Sequence, residues 1–266
     1  NCEILGNTVN PSTSSSALAM SFLPTSSTIE GNNGHDITVR NSRIVGGNRG
    51  LSIYGSTTDP ATNIVIENNV FESHEAYGVY ARRADTVSVV GNSMSGFMSS
   101  YSGYGVYAYN ADNMNIEKNS IIANPVGIYV TNMNIGGGHS TISNNMVKGG
   151  LYVGYDSHEI DVYHNTMNSG DFTSYSSYGL SISTATDLDF RNNIFIGGSA
   201  PAFTNNTADS TFNLDNNIYD VTTSTTFVKY GGVNHADLAA WKLADTQINQ
   251  NSIQGIPNFI SVNDLH

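Results

Sequence analysis

GVYARRADTVSVVGNSM, residues 78–94, returns 27 residues later as GVYAYNADNMNIEKNSI, residues 105–121. Each copy opens on a glycine, alternates apolar and polar residues, passes an aspartate, alternates again and reaches an asparagine. Alternation at period two marks a strand with one buried face. A unit of about 20–50 residues written more than once marks a repeat architecture, in which each unit buries its apolar face against its neighbours.

The same asparagine context extends outward through CEILGNTV, IVIENNVF, TISNNMV, IDVYHNTM, LDFRNNIF and FNLDNNIY. The aligned residues are Asn7, Asn69, Asn92, Asn119, Asn145, Asn165, Asn193 and Asn217, and Ser42 of ITVRNSRI joins the column. From Ser42 onward the steps are 27, 23, 27, 26, 20, 28 and 24 residues. Before each corner an apolar column points inward, as at Ile66, Val89, Ile116 and Val162; after it a second begins, as at Phe71, Met94, Ile121 and Val147. A third strand opens with glycine and buries Leu51, Val79, Val106, Ile128, Leu151 and Leu180. Three short strands per unit without amphipathic helices predict an all-β fold, a parallel β-helix of about eight three-strand coils. Asparagine tolerates the left-handed backbone of a tight corner, and its amide can bond the same group one coil on. The column is therefore expected to form a ladder that satisfies a buried bend.

The ENN, GNS, EKNS, HNT and RNN corners resemble the asparagine turn of the right-handed parallel β-helix proteins of the pectin-lyase-like superfamily, over about residues 36–220. HADLAAWKLADTQINQNSIQGIPNFIS, residues 235–261, is similar to the closing segment of many secreted bacterial members. That resemblance implies that Trp241, Pro257 and Phe259 seal the last coil. It also implies an extracellular or cell-surface location. Residues 1–235 read as the β-helix, with a truncated first coil and a loop insertion at 10–35, and residues 236–266 as a capping segment with a short helix. CEILGNTV begins inside a coil, with Ile4 and Val9 in core columns, so the chain reads as part of a longer chain or a larger surface assembly.

Composition narrows the partners. The 266 residues carry a net charge of −12 and only ten Lys and Arg, which argues against nucleic acid, whose phosphates need clustered basic residues. No apolar run reaches transmembrane length, so membrane insertion is not expected. Cys2 is the single cysteine; it allows neither an internal disulfide nor a thiolate cluster and reads as a small buried hydrophobe.

The third strand displays Ser52, Tyr80, Tyr107, Tyr129, Tyr152 and Ser181 outward, and two residues on Tyr54, Arg82, Tyr109 and Thr131. Coils one strand spacing apart, about 4.8 Å, would stack the four tyrosines in an exposed file. Loops 95–104 and 169–178, around Tyr101 and Tyr175, are expected to wall it. Such a file either strengthens the sheet through cross-strand pairs or serves as a platform for sugar rings. In the second case Tyr80, Arg82, Tyr107, Tyr109, Tyr129 and Tyr152 are the binding set.

The densest polar stretch is YVGYDSHEIDVYHN, residues 152–165. Its YDSHE distantly resembles the Tyr, Asp-Pro-His-Glu motif of β-helix alginate epimerases. The resemblance implies that Asp156 and His158 serve proton abstraction and return at C5 of a uronate. Ser157 replaces the motif's proline and Val153 stands where its tyrosine would be, so the proton donor falls to Tyr155 or Tyr152. Such chemistry also needs a neutraliser of the enolate charge, and Arg82 and Arg83 lie about three coils away. Asp156 also shares its corner with Asp85, Asp112 and Asp187, where aspartate is an ordinary turn former. In FESHEAY, residues 71–77, Glu72 and Glu75 are candidates for calcium through oxygen ligands, against the alternative of a solvated loop. No other cofactor is expected. The function expected is a secreted or cell-surface segment that binds polysaccharide, with an adhesive or structural role. The alternatives are a polysaccharide lyase or uronate epimerase working in the same groove, and a ligand-free stalk.

Overall fold

The computed structural model describes residues 2–5, 18–22, 34–98, 103–170, 172, 177–206 and 211–255. Asn7, Val9, Tyr101, Tyr175, Pro257 and Phe259, and the side chains of Cys2 and Ile4, lie outside what is described.

Three strand columns run along a solenoid. One sheet takes His35–Arg40, Ala61–Glu67, Ser140–Ser143, Ile160–Tyr163, Leu188–Arg191 and Phe212–Asp215. The next begins with Cys2–Leu5, Ser42–Val45 and Val70–Glu72, and the register Cys2↔Ser42 makes Cys2–Leu5 a strand that follows a corner, not one that leads into the asparagine column at Asn7 as the sequence alignment has it. The third includes Arg49–Tyr54 and Leu180–Ser183. The long strands Tyr77–Val90 and Tyr104–Glu117 belong to the third sheet and, past a bend, to the first. Coil pairs with coil in parallel, and the register keeps like with like: Leu51, Val79, Val106, Ile128, Leu151 and Leu180 stack in one column, all fully buried. Among the described residues the one antiparallel pair joins Val228–Tyr230 to Val233–His235. The molecule has about seven coils rather than eight. Within the expected loop at 10–35, Leu18–Phe22 is a strand, with Met20 in register with Leu51.

The asparagine column is a continuous hydrogen-bonded ladder. The side-chain oxygen of each rung accepts from the backbone N–H of the rung before it, from Ser42 onto Asn69 (3.0 Å) to Asn193 onto Asn217 (3.0 Å). Each amide nitrogen donates to a carbonyl of the preceding coil, as Asn119 does to Val89 (2.8 Å). Ser252 ends the ladder, its hydroxyl accepting from the Asn217 N–H (3.0 Å). One expectation needs correcting. The left-handed residue is not the rung but the one before it: Asn41, Asn68, Gly91, Lys118, Asn144, His164, Asn192 and Asn216, at φ between 50° and 66°. The rung's task is hydrogen bonding alone, which explains why Ser252 suffices at the C-terminal end.

At the C-terminal end the helix Leu238–Ala244 starts at Asp237, whose carboxylate accepts from Ala240 N–H (2.7 Å). Its Trp241 is fully buried, with ring centroids 5.1 Å from Phe203 and 5.5 Å from Tyr219.

Candidate functional site

The repeated tyrosines stack. Tyr80 and Tyr107 lie 5.2 Å apart at 6°, Tyr107 and Tyr129 4.9 Å at 3°, and Tyr129 and Tyr152 4.4 Å at 10°. The registers Tyr80↔Tyr107, Tyr107↔Tyr129 and Tyr129↔Tyr152 impose this, because strand spacing matches ring thickness closely enough for face-to-face offset contact. Gly154 accommodates the last ring: a Cβ there would come within 2.5 Å of Tyr152.

A second row accompanies the first. Tyr77 and Tyr104 stack on each other (5.5 Å, 15°) and meet the first row edge-on, at 5.2–5.6 Å. Sequence reasoning missed these two residues, yet the signal was present: the repeat extends one residue upstream of its glycine, as YGVY at both 77–80 and 104–107. The second row changes the expected exposure. Tyr80 is only 8% exposed, and Tyr107, Tyr129 and Tyr152 are half-buried. Inside the file the faces are spent on one another, and Tyr152 at its end stacks on Tyr129 alone, so most of the surface of the cluster is made of ring edges. Burial pushes the Tyr104 and Tyr107 phenols up to about 12, and it raises Tyr77, Tyr129 and Tyr152 as well. The cluster is therefore uncharged at neutral pH.

Three of the six arginines gather at one end of it. The Arg49 guanidinium carbon lies 3.8 Å from the Tyr80 ring centroid, and Arg82 lies between Tyr54 (4.9 Å) and Tyr109 (5.1 Å). Arg83 stands 5.6 Å from Tyr54. Among the described residues none of the three has a carboxylate partner, whereas Arg43 pairs with Glu72 (2.6 Å) and Arg191 with Asp189 (2.6 Å). Cation–π contact takes the place of ion pairing here.

The acidic stretch is organised differently. Tyr155, Asp156 and Glu159 have left-handed backbones at φ 48°, 54° and 53°, and all three are exposed. His158 approaches the Asp156 backbone carbonyl (Nδ1 at 3.2 Å), not its carboxylate. Tyr155 is 55% exposed, its ring 6.5 Å from Tyr152. Asp156, His158 and Tyr155 thus share a corner without forming a base–acid pair. His74, between the two calcium candidates, is buried with Nδ1 on the Gly46 carbonyl (2.6 Å), while the Glu72 carboxylate is engaged by Arg43. Among the described residues no three His, Cys, Asp or Glu side chains are grouped to hold a metal ion.

Seven asparagine rungs and in-register parallel coils have a counterpart among known proteins. A family model described as a right handed beta helix region matches residues 1–167 and again residues 98–253. The chain belongs to the right-handed β-helix family. Comparison with curated proteins gives no match. Membership in the right-handed β-helix family carries the fold, and function has to be argued from the site.

Proposed function

We propose that this chain is the polysaccharide-binding segment of an extracellular or cell-surface β-helix protein, with an adhesive or structural role, and that it works within a longer chain or larger assembly. The observation that carries the reading is the straight file of Tyr107, Tyr129 and Tyr152, half-buried, uncharged and spaced by the coil repeat. Tyrosine combines an apolar ring with a hydroxyl that donates and accepts, which suits the mixed C–H and O–H surface of a sugar. The rings are held by their neighbours in both rows, so little side-chain freedom is lost on binding. Because the ring faces inside the file are occupied, the glycan lies there along the edges and hydroxyls rather than on flat faces.

The test is retention of the wild-type chain on a panel of immobilised polysaccharides, run beside an absorbance assay for unsaturated uronate. The expected result is retention on at least one polysaccharide with no rise in absorbance. Failure to be retained on any of them would sink the proposal, and a steady rise in absorbance would replace it with a lyase.

A further inference from the structure

The tyrosine file gives way to serine at both ends. Ser52 is in register with Tyr80 and Ser181 with Tyr152, within RGLS (49–52) and YGLS (178–181). Both serines are buried and too short to carry the stack on. At the first end a cation closes the stack: the Arg49 guanidinium carbon lies 3.8 Å from the Tyr80 ring centroid, and its Nη1 reaches the Ser52 hydroxyl (3.4 Å). At the other end tyrosine, Tyr178, takes the sequence place of Arg49. Tyr152 stacks on Tyr129 (4.4 Å, 10°) and stands tilted to Tyr155 (6.5 Å, 49°); among the described residues no further ring and no cation meets it. One end of the file is therefore capped by the protein and the other keeps a ring face.

That face is held in place. The Tyr152 hydroxyl bonds Ser183, and the ring lies over Gly154, where no side chain intrudes. Its neighbour Tyr155 goes against local preference. Tyr155 has a left-handed backbone (φ 48°) in a corner column that carries Asn132 (53°) before it and Thr184 (51°) after it, and it is 55% exposed. Asparagine adopts that backbone readily, whereas a bulky ring gains nothing from it. Burial does not repay the choice either, since the ring is in water. Conflicts between local preference and fold concentrate at functional sites.

We propose that the free face of Tyr152, with Tyr155 tilted beside it, is a subsite for one neutral pyranose. The sugar stacks as the fifth member of the file, where Arg49 closes the opposite end. This rests on the polysaccharide-binding function and adds two things to it: where the glycan is gripped face-on, and that the sugar there carries no charge. The apolar C–H face of the pyranose meets the Tyr152 ring, and its hydroxyls meet the Tyr155 hydroxyl, which donates and accepts. The exposed carboxylates of Asp156 and Glu159 follow Tyr155 on the same coil, while Lys229, the lysine of this outward column, stands three coils beyond Tyr152. Like charge at that corner disfavours an anionic sugar.

The experiment is NMR titration of the intact chain with methyl β-galactoside, methyl β-glucoside and methyl β-glucuronide. At least one neutral glycoside should bind, with its ring C–H protons shielded by the aromatic face, and the tighter of the two names the configuration. The glucuronide should bind at least about tenfold more weakly. Tyr152→Leu keeps bulk but loses the aromatic face, and should weaken neutral binding about tenfold or more. Its melting temperature should stay within a few degrees, because Tyr152 stacks on one ring only. Ser181→Tyr offers the protein's own ring in the sugar's place and should weaken binding as much; if it does not fold, Tyr152→Leu decides. Binding of neither neutral glycoside to the wild type, a glucuronide bound as tightly, or unchanged binding in either folded variant overturns the proposal. A wild type retained on a polysaccharide yet blind to both neutral glycosides overturns the subsite alone. One that binds a neutral glycoside through Tyr152 but is retained on no polysaccharide overturns the polysaccharide-binding function alone.

Discussion

At the scale of single residues, Asn119 shows what the repeat is for. Its oxygen accepts from the Asn92 N–H and amide (both 3.0 Å), and its own amide reaches Val89 O and Asn145 Oδ1. Asn119→Leu strands the Asn92 N–H and the Val89 carbonyl in a dry corner. At about 1–3 kcal/mol per stranded group, the expected loss is about 2–5 kcal/mol, read by urea denaturation; a change under about 0.5 kcal/mol would mean that water reaches the ladder. His74 makes a second test. Burial lowers it from 6.5 to about 4, against smaller opposing contributions from the Gly46 and Ile44 backbone and Glu72. As pH falls through 6.5 the unfolded chain takes up the proton first, so stability is full above that pH and declines toward 4. The total decline is on the order of 3 kcal/mol. His74→Gln should flatten the profile between pH 7 and 4; an equally steep profile in that variant would assign the decline to other groups. The asparagine column was legible because every rung answers to the same carbonyl geometry. The left-handed position was misplaced by one, because Lys118 and His164 occupy it in two coils and neither residue type announces that backbone.

At the scale of elements, the two tyrosine rows behave as one body. Period-two alternation placed Tyr80, Tyr107, Tyr129 and Tyr152 on the outer side correctly, since it depends only on the strand. It could not place Tyr77 and Tyr104, which come before the glycine where the alternation starts, and so it overstated the exposure of the file. Ring pairs are worth about 0.5–1.5 kcal/mol each, and Tyr107 and Tyr129 take part in most of those within the cluster. Tyr107→Ala combined with Tyr129→Ala should therefore cost at least about 3 kcal/mol, whereas the matching Phe pair should stay within about 1 kcal/mol. Thermal unfolding of both variants checks this, and an alanine pair that melts with the wild type would show the rows to be independent of the fold.

At the scale of the whole molecule, an acidic rod with a polar Asn, Ser and Thr surface keeps one aromatic face with unpaired arginines at its end. The coil repeat could be read from spacing alone because stacking forces each coil to copy its neighbour. The arginine cluster could not, since Arg49 reaches Tyr80 across coils and Arg83 meets Tyr54 at a corner whose width the sequence does not disclose. Likewise Asp156 and His158 are close in sequence, but the left-handed turn at Tyr155 and Asp156 keeps the His158 ring on a backbone carbonyl. The central claim is that a glycan lies along the tyrosine edges. Its most direct test is the ring signals of carbon-13 tyrosine in the intact chain, followed by NMR during titration with a retained polysaccharide. The account predicts shifts at Tyr107, Tyr129 and Tyr152, with Tyr163, Tyr219 and Tyr230 unmoved; saturation of binding with the three ladder signals unchanged would contradict it.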